Sequence, residues 1–146
     1  MYNIDHSIFH AIGNTPLVEL KKIVPAGCGR IVAKLECANP TGSMKDRMAK
    51  AVISKAESRG WIKPGDTIVE YTGGTTGVSL AFVSAALGYR FHAVFSDAFS
   101  NEKRITMKAY GAEVTDILSD QKKINERLIK SMIANGRLQS LRHVLY

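Results

Sequence analysis

The sequence predicts an α/β fold in which a parallel sheet is covered by helices on both faces. Short β-branched runs alternate with helical segments, and the links between them are short and rich in glycine. Chains with this alternation usually return each strand to the same sheet through a helical crossover. The 146 residues, 45% of them hydrophobic, suffice for a globular domain with its own core.

The first two predicted strands stand apart from this alternation. A turn at residues 13–16 precedes a short apolar run at 17–20, and a turn at 25–29 precedes a β-branched run at 30–36. We interpret both runs as strands, the second of which is ended by the sequence Asn-Pro-Thr-Gly at 39–42.

A helix is predicted from Ser43 to about Arg59. Ser43 and Asp46 have the spacing of a capping box, so both can satisfy free N–H groups at the helix start. Asp46 is therefore interpreted as a cap and Arg47 as a solvated charge. Gly60 suits the position after the helix end. Four apolar residues share one face, namely Ala49, Val52, Ile53 and Ala56.

The remaining elements repeat the strand–helix alternation. Glycine follows two of the helices, where it can adopt the left-handed conformation that ends a helix. The predicted elements are a strand at 67–71, a helix at 78–87 before Gly88, a strand at 91–95, a helix at 101–110 before Gly111, a strand at 113–118 and an amphipathic helix at 121–134.

Charge and composition exclude several classes of function. The net charge is +7, but residues 119–146 supply four of these charges, so the rest of the chain is only mildly basic and nucleic-acid binding is disfavoured. Cys28 and Cys37 lack the number and spacing of a disulfide framework or metal site, which favours reduced thiols. No signal peptide or membrane-spanning run is apparent, so we expect a cytoplasmic protein. His92 is interpreted as a satisfied core histidine.

Lys45 is the first candidate for chemistry. It lies in the first turn of a predicted helix, directly after a strand-ending turn. A cation there opposes the positive end of the helix dipole, which favours the neutral amine that a nucleophilic lysine needs. From position alone, a solvated surface lysine is the better interpretation.

Residues 72–77, with the sequence Thr-Gly-Gly-Thr-Thr-Gly, are the second candidate. They lie between a strand and a helix, where glycines let backbone N–H groups approach an anion and the threonine hydroxyls add donors. The segment differs from the nucleotide pattern G-x-G-x-x-G, and no G-K-[ST] follows it. Taken alone, it is as typical of an ordinary strand–helix turn as of an anion site.

Together, and in this order, the two segments resemble those of the cysteine synthase and cystathionine β-synthase group, fold-type II enzymes that use pyridoxal 5'-phosphate (PLP). The first segment reads Asn-Pro-Thr-Gly-Ser-Met-Lys-Asp-Arg at 39–47. The flanks are similar too: Ile-Gly-Asn-Thr-Pro-Leu at 12–17, residues 59–70, and Lys-Ala-Tyr-Gly-Ala-Glu at 108–113. The resemblance runs from about Ile12 to Ile133.

The resemblance implies a fold, a cofactor and a set of site residues. The fold would be the smaller N-terminal domain of a fold-type II PLP enzyme, similar to the tryptophan synthase β chain. Lys45 would form the Schiff base with PLP and then act as base on the substrate α-proton. The substrate carboxylate would be held by the loop residues Thr72, Gly73, Gly74, Thr75 and Thr76. Thr75 would also contact the cofactor.

The loop departs from the family pattern at two positions. The family usually has Thr-Ser-Gly-Asn-Thr-Gly, whereas here Gly73 replaces the serine and Thr75 replaces an asparagine that contacts the PLP 3′-oxygen. A hydroxyl is shorter than an amide, so Thr75 would need a closer approach or a water to make that contact. The substrate class therefore stays open.

The chain is also shorter than the family. Residues 1–38 would join a larger domain that is missing here, residues 39–134 would form the α/β domain with the PLP lysine and the carboxylate loop, and residues 135–146 are an atypical tail. The missing part would hold the glycine-rich loop that binds the PLP phosphate. We therefore interpret the chain as an incomplete, apparently truncated N-terminal part.

The predicted function is PLP-dependent β-replacement or β-elimination on an amino acid with a β-leaving group, as in cysteine synthesis from O-acetylserine and sulfide. The partners would be a small amino-acid substrate and, if the enzyme is intact, a second copy in a homodimer, with no nucleic acid or membrane. Two alternatives stay open. In the first, the chain is a non-catalytic remnant or a binding partner of intact homologues. In the second, it is a nucleotide- or anion-binding α/β domain.

Overall fold

A computed structural model describes residues 7–96, 98–117 and 139–140 of the chain. Strands and helices alternate in it, which confirms the predicted α/β class. The elements are β1 (Leu17–Glu19), β2 (Val32–Lys34), α1 (Lys45–Ser58), β3 (Thr67–Tyr71), α2 (Thr75–Leu87), β4 (Arg90–Ser96), α3 (Asn101–Ala109), β5 (Glu113–Ile117) and β6 (Gln139–Ser140), with 3-10 turns at Ile8–Ala11 and Glu36–Ala38.

The main sheet is parallel, with the strand order β5-β4-β3-β6. Tyr71 pairs with Val94, and Ser96 pairs with Ile117, so the carboxyl ends of β3, β4 and β5 lie along one edge. The Thr72 N–H donates to the Val94 carbonyl at 3.0 Å and extends this pairing past β3. Ligands of parallel α/β sheets bind at this edge.

The core lies between the main sheet and the helices. The predicted face of α1 is buried, since Ala49, Val52, Ile53 and Ala56 have exposed fractions between 0 and 9%. Helix α2 is apolar on nearly all sides and packs against α1, α3, β3 and β4. A helix of that composition is expected in the interior of a domain.

Strands β1 and β2 form a separate antiparallel hairpin. Bonds from Leu20 N to Ile31 O (3.0 Å) and from Leu35 N to Pro16 O (2.9 Å) extend the pairing on either side. Strand β2 is shorter than the predicted strand at 30–36, because the chain turns into the 3-10 helix at Glu36. The hairpin exposes much of its apolar surface, including Leu17 (67%), Ile23 (77%) and Ile31 (50%).

Helix ends differ from prediction by a few residues. Helix α1 begins at Lys45 rather than Ser43, and α2 begins at Thr75, three residues earlier than predicted. Gly88 has the left-handed conformation (φ +78°) that ends α2, as predicted. The end of the predicted strand at Leu118, the predicted helix at 121–134 and all of the tail except 139–140 lie outside the described residues.

His92 and the two cysteines are interpreted as structural residues, and the structure describes their surroundings. The His92 Nε2 lies 2.7 Å from the Thr115 Oγ1, which confirms a satisfied histidine. Cys28 and Cys37 are exposed and form no disulfide. Within the described residues, the helices are too short or too polar to cross a membrane, and no three potential metal ligands come together.

Candidate active site

The two candidate segments begin neighbouring helices. We call residues 39–47 the lysine segment and residues 72–77 the glycine loop. The lysine segment leads into α1, and the glycine loop leads from the carboxyl end of β3 into α2. A hydrogen bond of 2.6 Å from the Ser79 hydroxyl of α2 to the Asp46 carboxylate of α1 holds the two helix starts together.

The lysine segment is fixed by Asn39, which is 3% exposed. Its Oδ1 accepts from the Gly13 N–H at 2.9 Å, and its Nδ2 donates to the Glu36 carbonyl at 2.8 Å. The Gly42 N–H donates to the Asn39 carbonyl at 2.8 Å and closes a turn. Gly42 has φ +75°, a conformation that favours glycine.

Lys45 is the first residue of α1 and is half-buried. Its backbone N–H donates to the Ser43 hydroxyl at 3.1 Å. Its Nζ forms no hydrogen bond or ion pair with any residue in the described part of the chain. The side-chain amine is thus available to an electrophile at the start of the helix.

Arg47 is not the solvated charge that the sequence suggested. Its Nε and Nη2 each lie 2.9 Å from one oxygen of the Glu36 carboxylate, and its Nη2 lies 3.1 Å from the Thr15 hydroxyl. These hydrogen bonds, those from Arg47 first, hold the pKa of Glu36 well below its usual range. The same pair raises the pKa of Arg47. The two hydrogen bonds between Arg47 and Glu36 attach the end of the hairpin to α1.

The predicted capping box forms only in part. Ser43 does serve the helix start, by accepting the Lys45 N–H. The Asp46 carboxylate does not return to the Ser43 N–H, and accepts instead from the Thr41 N–H (2.8 Å), the Thr41 hydroxyl (2.5 Å) and Ser79. Asp46 is fully buried, because α2 covers it and supplies a donor that the local spacing could not reveal.

The glycine loop presents unused N–H groups at the start of α2. The buried Thr72 hydroxyl accepts from the Gly77 N–H at 2.9 Å and so caps the helix. The N–H groups of Gly73, Thr75 and Thr76 have no hydrogen-bond partner among the described residues. Free N–H groups at a helix N-terminus form a site for an anion such as a carboxylate. Thr75, the first residue of α2, is exposed at this position.

Two glycines of the loop lie directly against other side chains. A Cβ on Gly77 would overlap the side chains of Thr72 and Met107, and a Cβ on Gly73 would overlap the ring of Phe99. Phe99 packs against Phe95 with a centroid separation of 5.9 Å. Sequence reasoning missed Phe99, whose only signal was an aromatic residue shortly after a strand end.

These features fit the binding of two chemical groups, a carbonyl group at Lys45 and an anion at the glycine loop. An unpaired lysine amine can bond a carbonyl carbon, and free N–H groups at the start of the neighbouring helix can hold a carboxylate. The position of the Lys45 amine depends on Ser43 and Asp46. The shape of the glycine loop depends on Thr72 and the glycines.

Comparisons with known proteins agree with this chemistry. Residues 8–138 match a family model described as pyridoxal-phosphate dependent enzyme. The chain is 46% identical over 116 residues to cysteine synthase B of Salmonella typhimurium, covering 80% of this chain and 38% of that protein. It is 51% identical over 108 residues to a cysteine synthase of Staphylococcus aureus, covering 74% and 35%.

Solved structures give the same picture. The crystal structure of O-ureido-L-serine synthase matches with a TM-score of 0.86 and 39% identity, covering 96% of this chain and 44% of that chain. The chain thus spans less than half the length of each of these three proteins. What it shares with them is the part that holds both candidate segments.

Proposed function

The chain belongs to the pyridoxal-phosphate-dependent enzymes, and we propose that it carries the lysine and carboxylate loop of a β-replacement enzyme that forms cysteine from O-acetylserine and sulfide. The supporting observation is the pairing of an unpartnered Lys45 amine with three free N–H groups at the neighbouring helix start. Two of its relatives are cysteine synthases by name. When bound, PLP supplies an electron sink for charge that develops at the substrate α-carbon.

Lys45 has two tasks in this proposal. Its Nζ would hold the cofactor through a covalent bond to the aldehyde carbon. The same Nζ, as a neutral amine, would accept the α-proton of the substrate. A residue at the first position of a helix, with its backbone bonded to Ser43, suits both tasks because its backbone stays fixed while its side chain moves.

The glycine loop orients the substrate. The N–H groups of Gly73, Thr75 and Thr76 bind its carboxylate, while Thr72 and Gly74 set the shape of the loop. Thr75, which is exposed, takes the position of the family asparagine, and its hydroxyl would contact the cofactor. Because this hydroxyl is shorter than an amide, we place the choice of substrate partly at Thr75.

The remaining parts of the proposal concern the domains and partners. We propose that residues 1–38 belong with a larger domain and residues 39–134 form the PLP-lysine domain. The separate hairpin with exposed apolar side chains supports this division. The substrate is a small amino acid, and the full-length enzyme is a homodimer.

A second substrate deserves equal testing because of one comparison. The similarity to O-ureido-L-serine synthase covers nearly the whole chain. O-ureido-L-serine is also a β-substituted alanine, so the same lysine and loop suit a different nucleophile at the β-carbon. Product analysis with sulfide and with hydroxyurea as competing nucleophiles separates the two candidates.

Borohydride reduction in the presence of PLP tests the proposal. We expect the stable pyridoxyl label on Lys45 after digestion and peptide mapping, and its loss in Lys45→Ala. Lys55→Ala is the matched control, since Lys55 is an exposed lysine on the same helix. A label spread evenly over the lysines would contradict the proposal and favour the nucleotide- or anion-binding alternative. Selective labelling without turnover would favour the non-catalytic remnant.

A further inference from the structure

We propose that Asp46 is a positioning residue whose buried carboxylate sets the place of Lys45 relative to the glycine loop. The inference rests on the proposed function of Lys45. It concerns a residue that touches neither substrate nor cofactor in that proposal, and that the sequence alone presents as a local helix cap.

The geometry around Asp46 joins both halves of the site. Its Oδ2 accepts from the Thr41 N–H at 2.8 Å. Its Oδ1 accepts from two hydroxyls, that of Thr41 at 2.5 Å and that of Ser79 at 2.6 Å. Thr41 belongs to the lysine segment, whereas Ser79 lies one helical turn after Thr75 in α2. A single oxygen atom thus connects the turn before Lys45 to the helix that begins at the glycine loop.

The burial of Asp46 favours a specific role over a local cap. An N-cap works well at a solvent-exposed helix end, whereas Asp46 has an exposed fraction of 0%. Its donors in the described part of the chain are neutral groups, and no salt bridge joins it to a described cation. A buried carboxylate is costly unless its hydrogen bonds are made, so its geometry must be kept by the fold.

Lys45 is held on both sides by this arrangement. Its own N–H is bonded to Ser43, and the next residue in the chain is Asp46. The lysine backbone therefore cannot shift along α1 without breaking the bonds of Asp46 to Thr41 and Ser79. Loss of these bonds would let the start of α1, and with it the Lys45 side chain, shift relative to the glycine loop.

Helix α2 provides a matched pair of serines for the test. Ser79 and Ser84 are both fully buried. The Ser79 hydroxyl donates to Asp46, whereas the Ser84 hydroxyl has no hydrogen-bond partner among the residues that the structure describes. Replacing either serine by alanine removes the same atom from the same helix, and only Ser79→Ala removes a bond to Asp46.

The experiment is selective labelling with PLP and borohydride, with peptide mapping of every lysine in wild type, Asp46→Asn, Ser79→Ala and Ser84→Ala. The readout is the label on Lys45 divided by that on Lys50 and Lys55 in the same helix. We expect the ratio to fall about tenfold or more in Asp46→Asn and about threefold in Ser79→Ala, the second value being within the net contribution of one typical hydrogen bond. Ser84→Ala should keep the wild-type ratio.

Circular dichroism identifies any variant that fails to fold, and Ser79→Ala then decides the question if Asp46→Asn does not fold. If Asp46→Asn folds and keeps the wild-type labelling ratio, the inference about Asp46 is wrong while the proposed function still stands. Equal effects of Ser79→Ala and Ser84→Ala would have the same meaning. A wild-type chain with no preference for Lys45 would overturn the proposed function and the inference with it.

Discussion

The starts of α1 and α2 lie side by side, yet they are stabilised in different ways. The start of α1 depends on charged side chains, because Asp46 is buried under Thr41 and Ser79 and Arg47 binds Glu36. The start of α2 depends on one hydroxyl, that of Thr72, and on the absence of side chains at glycines. The first arrangement fixes a reactive side chain, and the second leaves backbone N–H groups open to a ligand.

The largest expected loss of stability comes from adding a methyl group to the start of α2. In Gly77→Ala the new Cβ would overlap Thr72 and the fully buried Met107, so the core must shift. Overpacking of this kind costs about 1–3 kcal/mol in the free energy of unfolding, which urea denaturation measures. Gly74→Ala is the control, because nothing lies within 4 Å of its Cβ position. Equal losses in the two variants would show that space at 77 is not what requires glycine.

A smaller loss is expected when the Thr72 hydroxyl is removed. Thr72→Val keeps the side-chain shape but leaves the Gly77 N–H without its acceptor. Loss of a helix cap costs about 0.5–2 kcal/mol, again measured by urea denaturation. Thr72→Ser keeps the hydroxyl and should retain most of the stability. If both variants lose the same amount, the methyl group rather than the hydroxyl matters.

Gly73→Ala should cost less than either, although its Cβ also overlaps a side chain. The obstacle is the ring of Phe99, which is 43% exposed and can rotate outward, so we expect less than about 1 kcal/mol. Phe99→Ala in the same chain should remove this cost, and the double-mutant cycle measures the coupling between the two positions. Strict additivity of the two changes would show that the ring does not rest on Gly73.

The smallest effect that we predict is a pH dependence of stability, which comes from the ion pair between Glu36 and Arg47. The pKa of Glu36 is lowered in the folded chain, so its contribution to stability is present at neutral pH and is lost as the pH falls below the ordinary range of a glutamate. Because the pair with Arg47 is accessible to solvent, the effect is screened and modest. Thermal unfolding at pH 7 and pH 3 should differ less for Glu36→Gln than for wild type. If wild type and Glu36→Gln showed the same pH dependence, Glu36 would not contribute to it.

The sequence predicted the strands and helices well, and it placed the two candidate segments at helix starts, because these features depend on local patterns. Helix α1 shows its apolar face in its periodicity, and the glycine loop follows a β-branched strand. The polar contacts were not predictable in the same way, since Ser79 lies 33 residues from Asp46 and Glu36 lies 11 residues from Arg47. Such pairs appear only after the chain has folded.

The same limit explains the shorter second strand and the role of Phe99. The sequence pattern of a strand continues from residue 30 to residue 36. In the structure, however, Glu36 begins a 3-10 helix and binds Arg47, so the strand ends before it. Phe99 gave no motif, and its position over Gly73 depends on the way the chain leaves β4. The assignments of Lys45 and of residues 72–76 to catalysis and carboxylate binding stay predictions, to be decided by labelling.

The contact between Gly73 and Phe99 has a consequence for how this loop can evolve. A serine at position 73 would meet the aromatic ring, so it is accepted at least cost in a chain where position 99 has already become smaller. We therefore expect positions 73 and 99 to be coupled, so a library that randomises the loop should vary position 99 as well.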